Sequence, residues 1–216
     1  MRKQEVIKRY ILFIISLFFS GLGIACTKAS ALGVSTISSI ANVLNIRFDF
    51  ISMGLWLIIT NMVLFVGEII VLRRNFKPIQ CLQIPLVFLF GYFTDLGGLI
   101  IRNISLQTYF TKLLMCVSGV IILGFGVALA VIANAILNPG EAFVKAIADT
   151  LNKNFGNVKI VFDICCVVTA VSLSLIFFNG KISGVREGTL IAAILTGLSV
   201  KFFVKILNKP IQKILE

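Results

Sequence analysis

Long apolar stretches alternate with short polar connections along the whole chain. Six of these stretches reach about the 20 residues that a helix needs to cross a bilayer. They are Tyr10–Cys26, Phe50–Leu72, Ile79–Ile101, Leu113–Leu137, Val158–Phe178 and Thr189–Leu207. The pattern predicts an all-α integral membrane protein with six transmembrane helices. Since the spans take up most of the 216 residues, we expect a single transmembrane domain over residues 1–216.

Two further segments, 34–44 and 138–152, carry apolar residues at helical spacing but are too short to span. The second opens with Asn138, Pro139 and Glu141, which suit the cap, the first helical position and the positive end of the helix dipole. Each segment is expected to be either an interfacial helix with its polar face in water or a re-entrant helix. In the re-entrant case its amino end points into a cavity, where unpaired N–H groups favour anions.

The chain repeats itself weakly. Residues 21–25 (GLGIA) resemble 124–128 (GFGVA), and 41–45 (ANVLN) resemble 148–152 (ADTLN). Each half then contains three spans and one short helix, and an odd number of spans makes the second half enter the membrane from the opposite side. We therefore predict two inverted three-helix repeats, the arrangement of many secondary transporters. Their bounds are about 8–103 and about 110–208.

Composition agrees with a membrane protein, and the charge predicts its orientation. Hydrophobic residues make up 58% of the chain and charged residues 13%, about half of the ~25% typical of soluble domains. Lys and Arg collect in cytoplasmic segments, so the net charge of +11 does not indicate nucleic-acid binding. With a cytoplasmic amino terminus, only six of the 20 basic residues fall on the opposite side. Those six are Lys28, Arg47, Arg102, Lys112, Lys181 and Arg186. We expect both termini in the cytoplasm and no nucleic-acid partner.

Little in the chain predicts catalysis. It contains no histidine, the commonest general base and metal ligand. Its five cysteines lie in or at the ends of spans without the paired spacing of a metal site. We therefore predict no enzyme activity, no catalytic residue, no metal and no cofactor.

Acidic residues inside spans are functional candidates, because a charge is expensive in hydrocarbon. Glu68 is expected to reach the arginines at 73–74, and Asp163 follows Lys159 by one helical turn. Asp95 has no such explanation close to it, so it ranks first among the three.

Several short motifs occur in a fixed order along the chain. The most specific are Lys28-x4-Gly33 and Val185–Thr189 (VREGT). Others are Gly21–Gly23, Phe76–Pro78, Gly91–Asp95 and Pro139–Glu141. Together they cover nearly the whole chain and resemble the bacterial YczE/YyaS/YitT family of multi-span membrane proteins. The resemblance implies a bacterial plasma-membrane location and supplies no catalytic residues.

The first functional hypothesis is a small secondary transporter or channel-like carrier, with its site at the interface of the two repeats. Positive helix ends and basic side chains favour an anionic or zwitterionic solute. Arg186 and the adjacent Glu187 are expected to point in different directions and so not to neutralise each other. The predicted site residues are Lys28, Ser35, Thr36, Ser38, Asp95, Asn138, Glu141 and Arg186.

The alternative is a membrane protein that transports nothing by itself. Six spans also suit a solute-binding subunit for a separate ATPase or a regulator of a membrane complex. The chain then works with a membrane protein partner, or with further copies of itself as a homo-oligomer.

Overall fold

The computed structural model describes residues 3–215 and contains eight α-helices and, within those residues, no strand. Six helices are long and apolar enough to cross a membrane, as predicted. The helices are α1 Lys3–Ala29, α2 Ser38–Arg47, α3 Met53–Leu72, α4 Gln83–Ile101, α5 Tyr109–Ala133, α6 Pro139–Leu151, α7 Phe155–Phe177 and α8 Glu187–Leu215. Two short 3-10 turns, Arg73–Asn75 and Pro78–Leu82, connect α3 to α4.

The fourth span ends earlier than the apolar run suggests. The run continues to Leu137, but α5 stops at Ala133 because Asn134 adopts a left-handed conformation with φ of 45°. Asparagine tolerates this conformation, which commonly ends a helix. The four residues before α6 are therefore free to turn away from the axis of α5.

Helices α1 and α5 form the centre of the molecule and run antiparallel. Phe13, near the start of α1, packs against Ala133 at the end of α5, and Ile24, near the end of α1, packs against Leu123. Between these contacts the rings of Phe19 and Phe125 meet edge to face. Helices α4 and α8 pack directly on this pair, whereas α2, α3, α6 and α7 pack mainly on one another.

Close approach of α1 and α5 depends on glycine. A Cβ at Gly23 would lie 2.5 Å from the backbone nitrogen of Leu123, and a Cβ at Gly126 would lie 2.6 Å from that of Ser20. Such distances are too short for real side-chain atoms, so only glycine allows the two backbones to pack this tightly.

Each outer helix has a definite neighbour. Helix α4 packs on α1, and α8 packs on α5. The short helices α2 and α6 both lie between α3 and α7. The first turns of α1 and the last turn of α8 lie together, because Lys8 Nζ donates a hydrogen bond of 2.7 Å to the carbonyl of Ile214.

Candidate functional site

One cavity of about 330 Å³ opens where α1 ends, and we call it the Lys28 cavity. Its lining residues come from the end of α1, from α2 and from the α7–α8 loop. They are Lys28, Ala31, Gly33, Asn42, Ile46, Ile182, Ser183, Gly184 and Arg186. The amide of Asn42 donates a 2.8 Å hydrogen bond to the carbonyl of Gly184 and so joins α2 to the loop.

The Lys28 cavity carries two basic side chains in different states. Arg186 forms an ion pair of 3.1 Å with Glu187, so our expectation that these neighbours point apart is wrong. Consecutive side chains converge here because they lie on the loop and at the first residue of α8, outside regular helical geometry. Lys28 forms no ion pair within residues 3–215. The cavity therefore holds one lysine that is free to bind an anionic group.

Backbone conformation shapes the walls of this cavity. Gly33 has a φ of 118° and lies against Thr189, with no room for a side chain between them. The N–H of Gly188 donates a 2.8 Å hydrogen bond to the carbonyl of Leu32. These contacts hold the segment after α1 against the start of α8.

The amino ends of the two short helices meet. Ile37 occupies the cap position of α2, and a Cβ at Gly140, in the first turn of α6, would lie 3.0 Å from its Cδ1. Leu64, in the middle of α3, lies beside the same glycine. Neither Ile37 nor Asn138 makes a side-chain capping bond, so the predicted capping role of Asn138 is limited to its position.

A group of polar side chains surrounds these helix ends. Thr36 donates a 3.0 Å hydrogen bond to Asp163 on α7, and Lys159 pairs with the same carboxylate, as the one-turn spacing predicts. Ser35 donates to Ser38 over 2.9 Å. Carboxylates at helix amino ends are stabilised by the positive end of the dipole. We call Ser35, Thr36, Ser38, Lys159 and Asp163 the helix-end cluster. Its carboxylate belongs to the protein itself, so a bound anion is not needed to satisfy these helix ends.

Glu141 belongs to the helix-end cluster by its position in the first turn of α6. Burial raises the pKa of its carboxyl, the charge of Lys159 opposes that change, and the charge of Asp163 adds to it. The balance makes Glu141 easier to protonate than an exposed glutamate.

A second cavity of about 500 Å³ opens at the other end of the α1–α5 pair, and we call it the Glu68 cavity. It lies between the end of α3, the α3–α4 connection, the segment after α5 and α6. The polar and charged residues of its lining are Glu68, Asn75, Lys77, Gln80, Gln83, Lys145, Asp149 and Thr150.

Glu68 does not reach the arginines at 73–74, so that prediction is wrong. It is 1% exposed, and its two carboxylate oxygens accept hydrogen bonds from Gln80 and Gln83. The two 3-10 turns fold the chain back after α3 and bring these amides under the carboxylate. Sequence reasoning missed this cavity; the only signal was an acidic residue near a span end followed by two glutamines.

The eight predicted site residues fall into three places. Lys28 and Arg186 line the Lys28 cavity, whereas Ser35, Thr36, Ser38, Asn138 and Glu141 lie at or beside the amino ends of α2 and α6. Asp95 lines neither cavity. Its carboxylate instead accepts a 2.8 Å hydrogen bond from the N–H of Gly54 and a 2.6 Å bond from Ser52, both at the start of α3. Sequence reasoning also missed that Asn42 and Lys159 belong to these groups.

Comparison with known proteins places the chain among membrane proteins. The "Uncharacterized membrane protein YczE" of Bacillus subtilis (strain 168) is 27% identical over 202 residues, which cover 93% of this chain and 87% of that protein. No solved structure matches the chain. The family described as "Family of unknown function (DUF6198)" matches residues 7–205. The resemblance to YczE-type proteins that the motifs predicted is therefore confirmed, and the chain belongs to this family of multi-span membrane proteins.

Proposed function

We propose that the protein is a secondary transporter or channel-like carrier of the bacterial plasma membrane for a small anionic or zwitterionic solute. The observation that carries the proposal is the arrangement of the two cavities. They open at opposite ends of the antiparallel α1–α5 pair, and the amino ends of α2 and α6 meet beside Leu64, in the middle of α3. A carrier exposes one site to each side of the membrane in turn, and two cavities on opposite sides are compatible with that requirement.

Contacts between α1 and α5 support two inverted repeats. Gly23 lies against the backbone of Leu123, and Gly126 lies against the backbone of Ser20. In the alignment of the two halves, Gly126 is the counterpart of Gly23 and Leu123 is the counterpart of Ser20. Each contact is therefore the other with the two halves exchanged. A two-fold axis across the antiparallel pair would produce this exchange, with a glycine at the equivalent position of each half.

The outer contacts follow the same exchange. Gly21 on α1 packs against Thr94 of α4, and its counterpart Gly124 on α5 packs against Ser199 of α8. The Lys28 cavity combines the short helix of the first half with the α7–α8 loop of the second. The Glu68 cavity combines the short helix of the second half with the α3–α4 connection of the first. The cavities are then equivalent openings on the two sides of the membrane.

Two contacts favour re-entrant over interfacial short helices. Gly140, at the start of α6, is next to Leu64 in the middle of α3, and Thr36, just before α2, bonds to Asp163 within α7. Both partners lie well inside helices long enough to span, so both amino ends reach the interior of the bilayer. An interfacial helix would contact only the ends of its neighbours.

The basic side chains of the Lys28 cavity set the solute class. Lys28 has no ion-pair partner in the described part of the chain and can hold a carboxylate or phosphate group. The helix-end cluster contains Asp163 and Glu141, which repel a bare anion. Basic side chains in the Lys28 cavity and carboxylates in the helix-end cluster together fit a zwitterion best, or an anion that is accompanied by a cation.

Orientation follows from the distribution of charge. The start of α1 and the end of α8 lie on one side of the molecule, since Lys8 bonds to Ile214. The segments on that side hold most of the 20 basic residues. The positive-inside rule then puts both termini in the cytoplasm and the Lys28 cavity on the outer side. This proposal assigns no catalytic role to any residue.

The first experiment is thermal stability of the purified protein against inorganic phosphate, sulfate, dicarboxylates and amino acids. A bound solute at 100 times its Kd stabilises by about 2.7 kcal/mol, which raises the melting temperature measurably. Substitution K28A is expected to abolish the shift without lowering the basal melting temperature. The matched control is K181A, an exposed lysine of the α7–α8 loop outside the cavity, which should keep the shift.

Two outcomes would overturn the proposal. If no solute shifts the wild-type protein although it melts cooperatively, the chain has no site for this class of solute. If a shift persists in K28A, the solute binds elsewhere. In the first case, co-purification with another membrane protein at fixed stoichiometry would instead support the partner hypothesis.

A further inference from the structure

Glu68 is a carboxylate buried inside a span without a counter-ion. It is 1% exposed, and no Lys or Arg of residues 3–215 forms an ion pair with it. Isolated charges in a low-dielectric interior are strongly disfavoured, and burial favours the neutral form of a carboxyl group. Two hydrogen bonds from uncharged amides offset only part of that cost.

The two amides that contact Glu68 differ in their freedom to turn. Gln80 is fixed at both ends: its Oε1 accepts a 2.7 Å bond from the N–H of Lys77, and its Nε2 donates over 2.6 Å to Glu68 Oε1. Gln83 is fixed at one end only. Its Nε2 donates over 2.9 Å to Glu68 Oε2, while its Oε1 is buried without a hydrogen-bond partner.

While Glu68 is ionised, the buried Oε1 of Gln83 lacks a hydrogen-bond donor, which costs free energy. When Glu68 is protonated, the same oxygen can accept a hydrogen bond from the acid. When Glu68 gains a proton at Oε2, the new O–H group needs an acceptor. A half turn of the Gln83 amide presents Oε1 to that O–H group. Gln80 cannot do the same, because it would lose its bond to Lys77.

We propose that Glu68 and Gln83 form a proton-binding site at the floor of the Glu68 cavity. Glu68 takes up one proton at Oε2, the carboxylate becomes a carboxylic acid, and Gln83 changes from hydrogen-bond donor to acceptor. No other co-reactant is required. The site stands by itself; only its role, as the place where a coupling proton enters and leaves, rests on the proposed transport function.

No charged side chain that lines the Glu68 cavity forms an ion pair with Glu68, so its carboxylate is available to bind a proton. Lys77, from the α3–α4 connection, and Lys145 and Asp149, from α6, line the same cavity without an ion pair to Glu68. Other titratable groups on neighbouring helices, Asp95, Arg47 and Glu141, do not line this cavity. The cavity gives protons a path from solution to the buried acid.

Infrared spectroscopy of the full-length protein in lipid tests the site without any solute. The readout is the C=O band of protonated carboxylic acids at neutral pH, at which exposed aspartates in general are ionised. Substitution E68Q, which keeps the shape of the side chain, is expected to remove one acid from this band. Control D149N should leave the band unchanged, and E141Q removes only the share that belongs to Glu141.

A variant of Gln83 tests the amide separately. In Q83L the acid band should keep its intensity but move to higher frequency, because the O–H group has lost its acceptor. If E68Q does not fold, the shift of the acid band in Q83L still tests the site. An acid band that is identical in wild type and E68Q would overturn the site, and an unmoved band in Q83L would overturn the role of Gln83. A silent solute panel would contradict transport and leave this result intact.

Discussion

Single residues in this protein show how the same chemical group can serve the fold or the site. Asp95 lies within a span, yet its carboxylate bonds to Ser52 and to the N–H of Gly54 at the start of α3. Ser52 in turn caps α3 by accepting a 3.1 Å bond from Leu55. The carboxylate thus satisfies a helix end that would otherwise carry unpaired N–H groups. It joins α4 to α3, which accounts for a charge in this position.

Replacing Asp95 should therefore cost stability. We expect D95A to lower the free energy of unfolding by about 1–3 kcal/mol, the usual effect of removing a charged acceptor from buried donors. The exposed Asp49 offers a control, D49A, which should change stability little. Solute-induced stabilisation should survive in D95A. Its loss at unchanged basal stability would instead return Asp95 to the solute site that the sequence predicted.

The charged residues also show how far sequence reasoning reaches. The pair Lys159–Asp163 was predictable because both residues lie on one helix, where spacing fixes geometry. The partners of Glu68 were not, because Gln80 and Gln83 arrive through two 3-10 turns whose path depends on tertiary packing. Residues on one helix can be paired from spacing, whereas contacts across a turn need the structure.

At the scale of helices, hydropathy predicted all six spans, and glycine determines how the central two pack. The apolar runs mark the helices because every backbone group in a bilayer must be bonded internally. The runs do not mark where a helix ends, as Asn134 shows by ending α5 within one of them. The similar segments GLGIA and GFGVA contain Gly23 and Gly126, the points where the backbones of α1 and α5 approach too closely for a side chain.

Alanine at either of these glycines should be destabilising. A methyl group at Gly23 or Gly126 would meet the backbone of the facing helix, which cannot move aside as a flexible side chain could. We expect G23A and G126A each to cost about 1–3 kcal/mol, the range for overpacking, and to cost similar amounts if the halves are equivalent. At Gly98 and Gly197, an added methyl group would have no atom within 4 Å. Thermal unfolding of G98A and G197A should therefore match the wild type, and equal tolerance at all four positions would contradict the close packing.

At the scale of the whole molecule, the amino ends of α2 and α6 meet through Ile37 and Gly140, and neither residue lines either cavity. The short helices could be predicted from sequence, but the choice between interfacial and re-entrant helices could not, because an amphipathic pattern suits both. Our proposal of re-entrant helices rests on the contacts of Gly140 with Leu64 and of Thr36 with Asp163. The contact between Ile37 and Gly140 joins residues from opposite halves of the chain. If the halves move against each other during transport, this contact is where the path opens.

A cross-link across this contact should stop transport. The variant I37C/G140C, made in a chain whose five cysteines (Cys26, Cys81, Cys116, Cys165 and Cys166) are replaced, brings two thiols together. A Cβ at Gly140 would lie 3.7 Å from Cγ2 of Ile37, and disulfides form where Cβ atoms lie about 3.5–4.5 Å apart. Oxidation should therefore link the amino end of α2 to α6. Flux of a solute identified by the stability screen, measured in proteoliposomes, is expected to fall on oxidation and to recover on reduction. Each single-cysteine variant should keep its flux under both conditions, because it has no partner thiol. Full flux through the cross-linked protein would mean that solute passes without separating the two helix ends, and the path would have to be sought elsewhere in the molecule.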